Sequence, residues 1–282
     1  PTFTGTTTPG STVTAFDGQT AIGTATVDAN GAWTFTPATP LGDGPHSVTF
    51  VATDAAGNDG SASTPFVFTV DALAPAAPVV GSVVDDVAAN QGSLTDGALT
   101  NDPQPTFSGT TEPGSTVAVF DGGAQIGSAV VGPDGAWSFT PATALGDGSH
   151  AITFVATDAA GNASPASAAF AVIVDTSLPA APVVTGATDD ALPGLGPIAT
   201  GGTTNDPTPT FSGTTEAGST VAVFDGAAQI GTATVAADGA WTFTPEVPLG
   251  DGPHSLTFVA TDAAGNTGAP STAFTFTIDG NG

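Results

Sequence analysis

A chain of 282 residues with 26 acidic side chains and no lysine, arginine or cysteine carries a formal net charge of −26. That balance argues against nucleic acids and anionic lipid surfaces as partners, because both are held through Lys and Arg, and it leaves neutralisation to cations from solvent. Without cysteine there is no disulfide or thiolate metal site, and without an 18-residue apolar run no membrane insertion is expected in this segment.

Pro1 opens directly into a strand pattern, and residues 1–71 align without a gap on 105–175 and 209–279. Phe3, Phe107 and Phe211 recur at a spacing of 104, as do Trp33, Trp137 and Trp241. A repeat this long is a domain with its own core, not a solenoid unit. The units are 1–71, 72–175 and 176–282. The first lacks the 33-residue stretch that opens the others at Ala72 and Thr176, so the chain has the pattern of a slice from a longer array.

Taken in order through the second unit, the elements are PAAPVVGSVV, PTFSGTT, STVAVF, QIGSAVV, AWSFTP, HAITFVAT and SAAFAVIV. Apolar residues alternate with polar ones in each, as in Ile152, Phe154 and Ala156, which is the mark of half-buried strands. Asp-Gly pairs at Asp121, Asp134 and Asp147 and Pro-Gly at Pro113 supply the turns. About seven short strands per unit predict an all-β fold of tandem immunoglobulin-like sandwiches. Proline-bearing connections, ALAPAAP after Asp71 and TSLPAAP after Asp175, predict an elongated array.

Counting strands up and down sends Asp85, Asp86, Asn101, Asp102, Asp121, Asp147 and Asp175 to one pole of a unit. Glu112, Asp134 and the loop Asp158–Asn162 go to the other. Where copies meet end to end, acid meets acid. Two carboxylates 4 Å apart repel by about 4 kcal/mol at an effective dielectric of 20, and no cationic side chain of the chain relieves it. Calcium suits Asp, Asn and backbone oxygens, whereas zinc would want His or Cys.

Turn geometry by itself explains Asp17, Asp43, Asp121, Asp147, Asp225 and Asp251. The TDAAGN string, with Asp158 and Asn162 or Asp262 and Asn266, fits either an Asx turn or a metal contact. His46, His150 and His254 stand alone in their units and predict a structural role, and the tryptophans predict core. No serine lies in a G-x-S-x-G setting and no glycine-rich loop leads to a lysine, so no enzyme is expected.

PTFSGTTEPGSTVAVFDGG, PDGAWSFTPATALGDGSH, ITFVATDAAGN and VDTSLPAAP resemble the tandem bacterial Ig-like repeats of giant biofilm-associated and type I-secreted surface adhesins. The resemblance spans the whole chain. It implies an extracellular stalk on the bacterial cell surface, serving adhesion and biofilm formation and stiffened by calcium at the junctions between neighbouring repeats. Residues carried over are Asp85, Asp86, Asn101, Asp102 and Asp175, then Asp189, Asp190, Asn205, Asp206 and Asp279. Asp71 serves the first junction. The alternative is a homophilic or glycan-binding adhesive module that self-associates, with strand addition at the open edge of the first unit building filaments.

Overall fold

The computed structural model describes residues 1–280, and among them there is no helix. The last two residues of the third unit therefore lie outside the described residues.

The second copy shows how alternation becomes architecture. One sheet runs Ala136–Phe139, Thr106–Thr110, Val79–Asp85, Gly92–Ser93; the other runs Ala124–Val130, Thr116–Asp121, Gly148–Thr157, Phe170–Val174, Ala98–Thr100. All pairs are antiparallel except the last, where Val172 stands beside Ala98 in parallel. The inward positions of both sheets meet in a core of Phe107, Val117, Val119, Trp137, Phe139, Ile152, Phe154 and Val172. The third copy repeats this with Phe211, Val221, Val223, Trp241, Phe243, Leu256, Phe258 and Phe276. Such two-layer packing of inward faces is the immunoglobulin-like sandwich.

The complete copies hold nine strands against the seven expected, because the segment between Asp86 and Pro105 contributes Gly92–Ser93 and Ala98–Thr100. Runs of two and three residues are too short to show a period. At the other end, SAAFAVIV forms a strand only from Phe170, because the preceding serines bond to the neighbouring strand: Phe154 N–H donates to Ser167 Oγ (3.1 Å) and Ala156 N–H to Ser164 Oγ (2.9 Å).

Trp137 lies opposite Gly109 in register and is 3% exposed. Its ring sits 4.8 Å from that of Phe154, tilted 37°. A Cβ on Gly109 would overlap both the indole and the carbonyl of Val79, so glycine is what lets the tryptophan lie flat across the strand. Gly213 and Trp241 repeat the arrangement.

The first copy keeps two sheets but has a smaller core: Phe3, Ala15, Ala25, Phe35 and Val48, with Trp33 and Phe50 only partly buried. Its Phe3–Thr6 and Ala32–Phe35 strands form a sheet of two, where the other copies add an opening strand carrying Val83 or Ala187 onto the core. One fully buried valine contributes about 1.5–3 kcal/mol. Native-state hydrogen exchange at Val48 should accordingly run at least ~10-fold faster than at its counterparts Ile152 and Leu256. Equal protection in the three copies would show that the opening strand adds nothing to the core.

Candidate functional site

Each complete copy gathers its acids at the pole where the chain leaves the sandwich, and a threonine organises them. Thr100 ends the short parallel strand. Its hydroxyl donates to Asp85 Oδ2, its Oγ1 accepts from the amide of Asp102 (3.0 Å), and its carbonyl accepts from the amide of Asp175 (2.9 Å). Three acids far apart in sequence thus converge on one residue. Asp85 and Asp102 are 1% and 2% exposed, whereas Asp86 is exposed and Asp175 half-buried. Val87 N–H donates to Asp85 Oδ1 (2.8 Å), and Gln104 N–H to Asp102 Oδ1 (2.8 Å). Burial raises the Asp102 pKa above its ordinary value and the charges of Asp85 and Asp86 add to that, against the hydrogen bonds from Gln104 and Asp86.

Asn101 is 6% exposed. Its Nδ2 donates to the carbonyl of Ala88 (2.9 Å), but its Oδ1 is buried with no hydrogen-bond partner. A buried acceptor left without a donor costs about 1–3 kcal/mol unless something positive meets it. Among the described residues no three carboxylate or imidazole side chains come together as a ready-made metal centre. A cation here would have to draw on the amide oxygen and on backbone carbonyls as well as carboxylates, which is the donor set of calcium.

The third copy repeats the threonine-centred bonds of the pole, although Asn205 is half-buried where Asn101 is buried. Thr204 donates to Asp189 Oδ2 (2.6 Å), Asp206 N–H donates to Thr204 Oγ1 (3.1 Å), and Asp279 N–H donates to the Thr204 carbonyl (2.9 Å). Asp189 and Asp206 are buried, and Asp190 exposed. Asn205 Nδ2 donates to the Leu192 carbonyl (3.1 Å), matching Asn101. The first copy has no counterpart to this Thr-Asp cluster. Asp71, exposed, accepts only the amide of Leu73 (3.1 Å) on its side chain.

The opposite pole carries the TDAAGN loop. Asp262 Oδ1 takes the amides of Gly265 (2.8 Å) and Asn266 (2.9 Å), and Oδ2 takes Asn266 Nδ2 (2.9 Å). Asp158 is filled the same way by Ala160, Asn162 and the Asn162 side chain, which holds its carboxyl below the usual range. The Asx-turn geometry is therefore present. The same asparagines also reach across the junctions: Asn162 Nδ2 donates to the carbonyl of Asp71 (3.0 Å), and Asn266 Nδ2 to that of Asp175 (2.8 Å).

These loops differ in burial in a way that reports on the junctions. Asp54 and Asn58 of the first copy are exposed, Asp158 and Asn162 half-buried, and Asp262 and Asn266 buried. The third copy's loop meets a complete acidic pole, including Asn90, whose Nδ2 faces the Ala263 carbonyl at 3.4 Å. The second copy's loop reaches the first through the bond from Asn162 to the Asp71 carbonyl.

Two sets of residues were missed as more than turn formers. Asp147 grips the outgoing linker: its Oδ1 accepts the amide (2.9 Å) and hydroxyl (2.8 Å) of Thr176, and its Oδ2 the hydroxyl of Ser177 (3.2 Å). The Thr176 hydroxyl and amide hold the Asp147 carboxyl below the usual range. Asp43 grips Ala72 N–H (2.8 Å) and Asp251 grips Gly280 N–H (3.0 Å) in the same way. Asp17, Asp121 and Asp225 bind the histidines His46, His150 and His254 at 2.6–2.7 Å. Only the identical placement of these acids in all three copies, at a fixed distance before each linker or histidine, could have signalled a shared task.

A repeated sandwich with acidic exits and loop-bearing entrances defines a class: tandem Ig-like modules built to be joined end to end. The sequence pattern described as Bacterial Ig-like domain matches residues 1–72, 79–176 and 195–280, and the chain belongs to that family. No curated protein is similar enough to count as a match. Among solved structures, the chain is similar to a tetra-tandem repeat from the extending region of a large adhesion protein (26% identity, 99% of this chain and 70% of that one, TM-score 0.29). It is also similar to fibronectin(III)-like modules of Clostridium thermocellum CbhA (16%, 70% and 94%, 0.43) and to the BSP domain of a biofilm-associated protein (16%, 94% and 56%, 0.26). No helix among the described residues is long and apolar enough to cross a membrane.

Asn266→Ala removes the bond to Asp175 and one bond within the loop, each contributing about 0.5–1.5 kcal/mol. Residual dipolar couplings should then show the second and third copies aligning independently, with the first pair unaffected. A single shared alignment in the variant would mean that this asparagine does not seat the junction.

Proposed function

We propose that this chain is a stalk segment of a bacterial surface adhesin, an extracellular spacer without an active site, whose junctions are stiffened by calcium. The observation that carries the reading is the orphaned, buried Oδ1 of Asn101 within a pole of buried carboxylates that faces the next copy's loop. Asp85, Asn101 and Asp102, with Asp86 and Asp175 at the rim, would hold the ion between the second and third copies. Asp189, Asp190, Asn205, Asp206 and Asp279 would supply the same kinds of oxygen at the equivalent pole of the third copy. In the TDAAGN loops, Asp158, Asn162, Asp262 and Asn266 spend their polar atoms on closing the turn and on reaching the preceding copy, so they seat the junction around the ion. Asp71 alone offers a carboxylate to the first junction.

The physics favours a divalent ion over a monovalent one. A cation that replaces lost hydration with six to eight oxygens offsets both the burial of two carboxylates and their mutual repulsion. Kd values of about 10⁻⁴ to 10⁻³ M are typical of extracellular modules, and at ten times Kd each site adds ~1.4 kcal/mol of stability. The resemblance to adhesion and biofilm proteins supports the surface location and the spacer role.

Small-angle scattering of the intact chain in chelator and in millimolar calcium tests this. Calcium should lengthen the maximum dimension and reduce flexibility, and calorimetry should give a Kd near a millimolar or below. The Asp85→Asn/Asp102→Asn variant should lose the tighter of the binding events and the stiffening. Identical scattering curves with and without calcium would rule out the proposed stiffening.

A further inference from the structure

Each copy holds one histidine in the same bridge, and the bridge specifies its charge. His150 Nε2 lies 2.7 Å from the carbonyl of Gly146, and Nδ1 lies 2.7 Å from Asp121 Oδ2. A backbone carbonyl only accepts, so Nε2 must carry hydrogen. An ionised carboxylate only accepts, so Nδ1 must carry hydrogen too. Both demands are met only by the imidazolium. His46 stands between Gly42 (2.7 Å) and Asp17 (2.6 Å), and His254 between Gly250 and Asp225 (both 2.7 Å), with the same consequence. In a chain with no Lys or Arg, rings charged in this way would be its cationic side chains.

The bridge leads to the linker. Gly146, which accepts from the ring, is followed by Asp147, which holds the amide and hydroxyl of Thr176 and the hydroxyl of Ser177. Gly42 is likewise followed by Asp43, which holds Ala72, and Gly250 by Asp251, which holds Gly280. One protonated ring therefore ties three parts of each sandwich together: the hairpin turn with Asp121, the strand that begins at Gly148, and the loop that grips the exit of the chain.

We propose that each copy carries a proton-dependent clasp, in which the imidazolium of His46, His150 or His254 fixes the Gly-Asp turn that grips the outgoing linker. The clasp rests on the stalk reading for its use but operates without calcium. When the ring loses a proton, one nitrogen presents a lone pair to an acceptor, and either the Asp121 or the Gly146 contact must open. The linker grip then loses its backing, and the junction gains freedom.

The environment sets the direction. Around His150, the Thr116–Asp121 strand presents Asp121, the neighbouring hairpin strand presents Gln125 and Ile126, the exit loop carries Asp147, and the last strand places Val172 opposite the ring. The charged groups among these are both acidic. Desolvation by burial lowers the pKa of His150 and His254, but the Asp hydrogen bond, the glycine carbonyl and the Asp charge together outweigh it, and the net direction is upward. For His46 the hydrogen bond with Asp17 is the largest cause, and it too raises the pKa. The folded protein thus holds these protons more tightly than the unfolded chain. The stabilisation is complete below the ordinary histidine value of about 6.5 and disappears as pH rises through the folded-state pKa.

The test is a pH series on the full chain in chelator, recording ring nitrogen protonation and amide exchange by NMR. The rings should be doubly protonated at about pH 6.5, where a free histidine is half titrated. The protection factor of the Thr176 amide should fall ~10-fold with the His150 midpoint, as expected for loss of about one hydrogen bond. That of Val131, bonded to Ser115 at the far pole, should stay level. His150→Gln should remove the pH dependence at Thr176 while Gly280 keeps its own. Should that variant unfold the second copy, the wild-type series still decides. Singly protonated rings at pH 6, or Thr176 protection that ignores the His150 titration, overturn the clasp. A parallel series in millimolar calcium separates the two ideas, because failure to bind calcium would remove the stalk mechanism and leave the chelator result standing.

Discussion

Uncompensated negative charge is the constraint on which the rest of this molecule turns. Without a lysine or arginine, every buried carboxylate must be held by backbone amides, by hydroxyls, by a histidine or by an ion from outside. The chain uses the first three in different places. Amides fill Asp158 and Asp262 in the entrance loops, Thr100 and Thr204 serve the exit poles, and the histidines take Asp17, Asp121 and Asp225. Among the described residues, the exit pole of the second copy alone combines several buried acids with a buried acceptor, Asn101 Oδ1, that no donor reaches. That imbalance is the observation behind the proposal of a cation at the junction.

The three copies act as controls for one another. Copies two and three share core, tryptophan shelf and acidic pole, so features common to both belong to the repeat and not to local accident. The first copy has the same entrance loop but offers no acidic exit cluster to its successor, and the loop of the second copy is correspondingly less buried than that of the third. The linker is held at both ends in each case, by an exit-loop aspartate on one side and on the other by Thr111 with Ala76 (3.4 Å) or Thr215 with Ala180 (3.2 Å). Hydrogen bonds from both neighbouring copies therefore restrain the same hinge.

Much of this was legible in the chain before folding. Period-two runs such as Ile152, Phe154 and Ala156 gave the main strands because a pleated strand sends alternate side chains to opposite faces. Of the Asp-Gly pairs expected to close hairpins, Asp121-Gly122 does so, whereas those at Asp134 and Asp147 carry the chain from one sheet to the other, a crossing that a turn signal does not distinguish from a hairpin. Counting strands placed Asp85, Asp102 and Asp175 at one pole, and the structure joins them through Thr100. That threonine was invisible, since the sequence is rich in threonine and nothing local distinguishes one that organises a site. The two short strands before Pro105 were invisible too, being shorter than any period. Aspartates assigned to turn geometry alone proved to do a second task, because a turn residue's free carboxylate is directed by what folds against it.

By itself, the sequence determined the repeat, the sandwich class, the excess of negative charge and the need for a counter-charge, because these depend on composition and on local periodicity. Tertiary structure decided which oxygens meet: Asn101 without a donor, Asn266 across the junction, and His150 between a carboxylate and a carbonyl. The contacts of His150 with Asp121 and of Asn266 with Asp175 join residues 29 and 91 positions apart, and only the packed fold fixes their distances and directions.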